Sequence, residues 1–187
     1  MKKLVLTALA ATTAFIAMPA AAQTVTGTVT LTGSVAPKCS VTPGAGSTFA
    51  RSVNFNELSQ ANGTLRTGLS ADFNAAVTGV QIICNTNTPQ VTVTSLSLAT
   101  ATPANAGYAN SIEYTAHVAV SKAGGGTTTV DDDTIPAAGT GPAPVGAALL
   151  NGPNVVITAD NFRTANASDI LVAGSYSGTI TILITPS

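Results

Sequence analysis

Chemically reactive side chains are scarce in this 187-residue sequence, and they form no recognisable catalytic pattern. With His117 as the only histidine, no site built on several histidines is possible, and no Ser-His-Asp arrangement has a local signature. Asp131–Asp133 could hold a hard cation such as calcium, but the spacing and the downstream Glu of an EF-type loop are missing. We therefore predict an exposed acidic turn, a solvated His117, and a protein that is not an enzyme and has no catalytic residue, metal or cofactor.

Two cysteines, Cys39 and Cys84, give an even count. In an exported chain this predicts one disulfide, formed in an oxidising compartment. Closing a loop of about 45 residues would stabilise the fold by roughly 4 kcal/mol in the chain-entropy model. A metal or redox pair is disfavoured because the sequence has no CxxC and one histidine.

The first 22 residues have the pattern of a secretory signal peptide. Lys2 and Lys3 precede an apolar run from Leu4 to Met18, and Ala20–Ala22 then supplies a small-residue cleavage site. The run is shorter than the roughly 20 residues that span a bilayer, and we expect no membrane span after cleavage. We predict export through the periplasm.

Composition favours an all-β fold. Charged residues make up 8% of the sequence and aromatic residues 4%, and without Lys2 and Lys3 five basic residues stand against eight acidic ones. The sequence has no basic patch, which argues against nucleic acid and anionic membranes as partners. Abundant β-branched residues punctuated by Gly and Pro are typical of a sandwich of short strands.

The most regular pattern lies just after the predicted cleavage site. From Val25 to Val35 the odd positions are apolar or glycine, and the even positions are Thr or Ser. A period of two predicts a strand with one buried face, formed by Val25, Gly27, Val29, Leu31 and Gly33. No turn dipeptide ties this strand to a neighbour, so it pairs either within its own fold or with another molecule.

Further strands are predicted along the rest of the chain, and a short helical turn is possible where Leu65, Leu69 and Phe73 recur every four residues. We expect residues 91–98 to pair antiparallel with residues 77–84, and residues 134–153 to form a long surface excursion. The predicted strands are 39–41, 49–55, 77–84, 91–98, 112–120, 155–158 and 170–185.

Three motifs resemble the spore coat protein U family, which includes the archaic (Csu-type) chaperone–usher pilins. They are the segments GSVAPKCSV at 33–41, VQIICN at 80–85 and AGSYSGTITI at 173–182. Their order and separation frame nearly all of the chain after the predicted signal segment.

The resemblance implies an incomplete, immunoglobulin-like β-sandwich of six to seven strands, residues 36–187, preceded by a donor-strand extension, residues 23–35. A periplasmic chaperone and then the extension of another copy, or of a sibling pilin, would supply the missing strand at an outer-membrane usher. The protein would be a subunit of a surface pilus that supports adhesion and biofilm formation. The donor face would be the five residues named above, and the acceptor edge would comprise Tyr176, Ile180, Ile182 and Ile184.

Two alternatives stay open. Residues 25–35 could be the first strand of a sandwich that is complete in itself. The protein could also be a secreted coat or matrix protein, or a tip adhesin, that binds a surface without polymerising. The small number of aromatic residues weighs against glycan binding.

Overall fold

A computed structural model of the protein describes residues 26–42, 48–135, 139–147 and 152–187. The predicted signal segment and Val25 lie outside these residues. Contacts divide the chain into two units, Met1–Ser34 and Val35–Ser187. In the described part of the chain, no helix is both long and apolar enough to cross a membrane.

The described part of the first unit, residues 26–34, contains neither helix nor strand. Its side chains are exposed, with Val29 at 85% and Leu31 at 91%. The predicted strand is thus not formed in the single chain, because a strand without hydrogen-bonded neighbours has little stability in water. The donor role of this segment stays a prediction.

The second unit is mostly β, with antiparallel pairing in its long strands. Its one described helix, α1, begins after Gly68. The helical turn is confirmed for Leu69 and Phe73, which are buried, whereas Leu65 lies outside the helix in a β-bridge with Ser59. The elements in chain order are β1 Cys39–Thr42, α1 Leu69–Ala76, β2 Gln81–Cys84, β3 Gln90–Ala99, β4 Tyr108–Ala109, β5 Ser111–Ser121, β6 Thr127–Asp133, β7 Ala143–Pro144, β8 Val155–Arg163, β9 Ile170–Leu171 and β10 Ser177–Thr185.

The main sheet runs in the order β10-β3-β5-β6, with β8 on β5 and β7 on β3. Strand β5 pairs along most of its length with both β6 and β8, whereas β3 meets only its first two residues, Ser111 and Ile112. Two small sheets complete the unit: β1 pairs antiparallel with β2, and β4 pairs parallel with β9. Strand β5 therefore connects a β3–β10 half of the sheet to a β6–β8 half.

The core follows from alternation along these strands. In β5, alternate residues from Tyr114 to Val120 are buried and face the apolar cluster. Residues of β3, β6 and β8 meet them from the neighbouring strands. The buried side chains of this central cluster are Val91, Val93, Tyr114, Ala116, Val118, Val120, Val130, Val155, Ile157 and Ala159.

Three predicted strand assignments are wrong, and one of them, 170–185, is divided into β9 and β10. Residues 49–55 form no strand, although several of their side chains pack against the core. Residues 91–98 do form a strand, but β3 pairs with β10 rather than with β2. Strand β2 pairs instead with β1, where Cys39 and Cys84 lie directly opposite each other.

The acidic run Asp131–Asp133 is the end of strand β6, not an exposed turn. Asp132 is buried, and its carboxylate accepts a hydrogen bond from the backbone N–H of Ser95 at 2.6 Å. A carboxylate can be buried in a strand when a donor from a neighbouring element satisfies it.

In the small β1–β2 sheet, a disulfide joins the two strands and a side-chain amide binds the backbone of β2. Cys39 and Cys84 form the predicted disulfide. The fully buried Asn154 accepts from the N–H of Ile82 at 2.8 Å and donates to its carbonyl at 2.7 Å. Asn154 thus takes the place of a neighbouring strand beside β2.

Replacing Asn154 should destabilise the fold severely. Asn154→Ala leaves the buried N–H and C=O of Ile82 without these partners, and each such group costs about 1–3 kcal/mol. We expect a fall of about 2–4 kcal/mol in the free energy of unfolding, measured by urea denaturation. The exposed Asn105 is the matched control, since Asn105→Ala should change stability by less than about 0.5 kcal/mol. Equal midpoints for the two variants would contradict the role given to Asn154.

Candidate strand-binding groove

Strand β10 lies at the edge of the main sheet and has one described strand neighbour, β3. Within the described part of the chain, its backbone makes no hydrogen bond to any other main-chain segment. Its nine residues, SGTITILIT, include no charge and no proline. Natural sheets protect such edges with charges, proline or a covering element, because an open edge recruits other strands.

An apolar groove of about 380 Å³ opens beside this edge. Its lining combines β10 residues with the irregular segment 49–55 and with side chains from β3, β5, β8 and α1. Five of the eight aromatic residues in the sequence line it, and Arg51 is the one charged residue among the lining side chains. The aromatic residues are Phe49, Phe55, Phe73, Tyr114 and Phe162.

The aromatic rings of the groove contact one another. Phe55 lies 6.5 Å from Phe73 and 5.6 Å from Phe162 between ring centroids, and Tyr114 stacks on Phe162 at 5.3 Å. Such spacings are favourable for aromatic pairs. The lining is therefore a preformed apolar surface rather than a set of unrelated side chains.

Local backbone geometry places Phe162 in this cluster. The pairing of β8 with β5 shifts register between Asp160 and Arg163, and Asn161 lies there with a φ of 57°. Asparagine adopts this left-handed conformation more readily than most residues, and such a bulge changes the face to which the next side chain points. Phe162 consequently packs against the core although Asp160 is exposed.

The predicted acceptor residues Ile180, Ile182 and Ile184 face the core from β10, and the side chains between them are exposed. All three isoleucines are only partly buried, and two of them line the groove. In contrast, Val91 and Val93 on the neighbouring strand are completely buried. The apolar layer is thus less covered at β10 than one strand further in.

Tyr176 has a different position from the three isoleucines. It precedes β10, and its hydroxyl lies 3.1 Å from the carbonyl oxygen of Ala109 and 2.9 Å from that of Val172. It also lines an adjoining cavity of about 590 Å³, which shares Val53, Phe55 and Leu98 with the groove. Tyr176 therefore fixes the loop that leads into β10.

Tyr114 and Gly178 fix the start of β10 against β3. The Tyr114 hydroxyl lies 2.9 Å from the carbonyl oxygen of Leu96 and 3.1 Å from that of Thr179. Burial, together with the nearby Asp132 and Glu113 carboxylates, raises the pKa of Tyr114 to about 12. A Cβ on Gly178 would lie 2.8 Å from the carbonyl oxygen of Leu96, so only glycine permits this approach.

Sequence reasoning missed the aromatic lining. The predicted strand 155–158 ends before Phe162, and Tyr114 was predicted only as part of the strand 112–120. The available signal was compositional, since a sequence with so few aromatic residues concentrates most of them in one place.

Apart from the groove, a group of polar side chains lies on β5, β6 and β8. His117 Nδ1 is 2.7 Å from Asp131 Oδ1 on β6, and Nε2 is 3.1 Å from Asp160 Oδ1 on β8. The histidine side chain is 27% exposed, so the prediction of a solvated His117 is wrong. Nearby, Arg163 pairs with Asp133 at 2.9 Å.

Electrostatics at His117 favours the protonated ring. Partial burial acts to lower the pKa of His117, but the contacts with Asp131 and Asp160 outweigh burial and raise the pKa above its usual value. Across the described residues, no three His, Cys, Asp or Glu side chains form a group that could hold a metal ion. We interpret the arrangement as a cross-strand ion pair.

No protein-family model, curated protein or solved structure matches this chain.

Stability should fall as the pH rises through the raised pKa of His117. A histidine whose pKa is higher in the folded state stabilises the fold fully below the unfolded value, about 6.5, and loses this effect above the folded value. Urea denaturation between pH 5.5 and 8.5 should show this decline, and His117→Gln should flatten it. The lowered pKa of Asp133 acts in the opposite sense, but only at more acidic pH. An unchanged slope in His117→Gln would contradict the ion-pair interpretation.

Proposed function

We propose that this protein is a structural subunit of a surface pilus, assembled through the chaperone–usher pathway by donor-strand complementation. In this proposal residues 23–35 of one copy insert beside β10 of the next. The observation that carries the proposal is the uncharged edge of β10, which has no strand partner among the described residues and lies beside an open apolar groove. Strand addition would supply backbone partners for the edge and side chains for the groove.

The two strands at the ends of the main sheet, β6 and β10, differ in charge, and this difference supports β10 as the edge that accepts a strand. Strand β6, at the other end, carries Asp131, which is exposed, and Asp133, which is partly exposed. Charged side chains on an edge discourage pairing with another chain. Strand β10 has no such protection, and its outward Leu183 is 56% exposed.

The N-terminal segment has the complementary pattern. Val29 and Leu31 are exposed, and they alternate with threonines as the side chains of an inserted strand would. Residues 25–35 would span about 36 Å as a strand, compared with about 30 Å for the nine residues of β10. One strand could therefore cover the whole edge.

Because donor and acceptor are different parts of one chain, the proposed contact is heterologous. Such a contact relates copies head to tail and produces an open fibre when the rotation does not close. The second unit would then be an immunoglobulin-like sandwich that lacks one strand. A periplasmic chaperone would cover the groove before an outer-membrane usher assembles the pilus, which would support adhesion and biofilm formation.

Two half-defective variants should complement each other. A variant lacking residues 23–35 keeps the groove but has no donor. Ile182→Asp keeps the donor but places a carboxylate in the apolar groove, at a cost of several kcal/mol. Each variant, expressed with its signal segment and a periplasmic chaperone, should stay at one subunit, and a mixture should stop at two. Unboiled detergent gels measure the subunit number.

Leu183→Asn is the matched control, because this side chain is on the same strand but is exposed, and asparagine adds no charge to the edge. It should form long ladders like the unchanged protein. Ladders from the deletion variant, or a stable monomer of the full chain without a chaperone, would overturn the proposal. The second result would favour a sandwich completed by its own first strand, or a secreted protein that does not polymerise.

A further inference from the structure

Asn85 makes three hydrogen bonds to the residues that precede β1. Its backbone N–H donates to the carbonyl of Lys38 at 3.0 Å, which continues the β1–β2 ladder beyond Cys39 and Cys84. Its side-chain Oδ1 accepts from the N–H of Lys38 at 2.7 Å, and its Nδ2 donates to the carbonyl of Ala36 at 2.8 Å. The amide thus acts as one more peptide group of β2.

These bonds hold a segment that has few other constraints. Residues 36–38 are exposed and precede the first residue of β1, and Asn85 is itself exposed. Pro37 fixes its own φ and disfavours helical backbone at Ala36. The proline limits the conformations of this segment, and the Asn85 amide selects one of them.

Strands β1 and β2 also have connections that do not involve Asn85. The Cys39–Cys84 disulfide already joins β1 to β2, and Asn154 already holds Ile82. The Asn85 side chain adds two bonds outside both of these connections. These two bonds therefore affect the position and direction in which the chain before β1 leaves the domain.

We propose that Asn85 is a positioning residue, which fixes the point from which the N-terminal segment leaves the domain and so preorganises that segment for strand donation. This inference rests on the proposed function. Without the clamp, residues 36–38 gain conformational freedom that must be lost again when the segment is held in a neighbouring copy. We expect Asn85→Ala to slow polymerisation about tenfold, because ordering one residue costs roughly 1–2 kcal/mol.

The experiment compares Asn85→Ala with the matched control Asn87→Ala, an exposed asparagine two residues further on. Three quantities are measured on chaperone-bound full-length subunits: the polymerisation rate, the hydrogen exchange of the Lys38 amide, and the thermal midpoint. A synthetic peptide of residues 23–35 is also bound to the deletion variant with and without Asn85→Ala. We expect faster Lys38 exchange, slower polymerisation, an almost unchanged midpoint and unchanged peptide binding.

The outcomes separate this inference from the proposed function. If the peptide binds neither deletion variant, donor-strand complementation fails. If the peptide binds both equally, and Asn85→Ala polymerises at the normal rate despite fast Lys38 exchange, the positioning role is overturned. Equal slowing by Asn87→Ala also overturns it.

Asn85→Asp decides the question if the alanine variant does not fold. The aspartate keeps an acceptor for the Lys38 N–H but cannot donate to the Ala36 carbonyl. We expect slowing of a few fold, less than for alanine. A normal rate for this variant would overturn the inference.

Discussion

The backbone groups of a β-strand need hydrogen-bond partners along both edges, and among the described main-chain segments only β3 supplies them to β10. At the same place, Ile180 and Ile182 are only partly covered, and the groove exposes an aromatic surface. Backbone groups without hydrogen-bond partners and partly uncovered apolar side chains therefore occur at the same place. A small polar ligand would satisfy one requirement and a small apolar ligand the other, whereas an added strand satisfies both.

Elsewhere in the fold, side chains supply hydrogen bonds to strand backbone groups that lack a neighbouring strand. Asn154 serves Ile82, the Asn74 side chain accepts from the N–H of Ala159, and the Thr140 hydroxyl accepts from the N–H of Val93. Along β10 the Tyr114 hydroxyl contacts one carbonyl near the start, and no comparable series follows in the described chain. Side chains thus satisfy isolated backbone groups in several places, whereas no described segment pairs with the long outer edge of β10. This contrast is the reason to interpret that edge as a binding surface.

Periodicity predicted those features that depend on local sequence. Alternation identified β3 and β5, and the four-residue spacing of Leu69 and Phe73 identified α1. Residues 49–55 alternate as well and still form no strand, because alternation reports a buried face and not a paired backbone. The contacts of His117 with Asp131 and Asp160 depend on the registers of two separate ladders, which no local pattern contains. The resemblance implied only an acceptor edge that includes residues of β10, and the aromatic lining of the groove was not predicted.

Charge is distributed unevenly over the sheet. Strands β3 and β10 contain no charged residue, whereas Glu113, Asp131–Asp133, Asp160 and Arg163 lie on β5, β6 and β8. The segment 23–35 also has no charged side chain, so in the proposed insertion Coulomb attraction between side chains would neither steer it to β10 nor fix its register. The register would then come from the sequence of small and branched side chains, with Gly27 and Gly33 on either side of Val29 and Leu31. Because a one-residue slip would point every threonine into the apolar groove, alternation itself would provide the specificity.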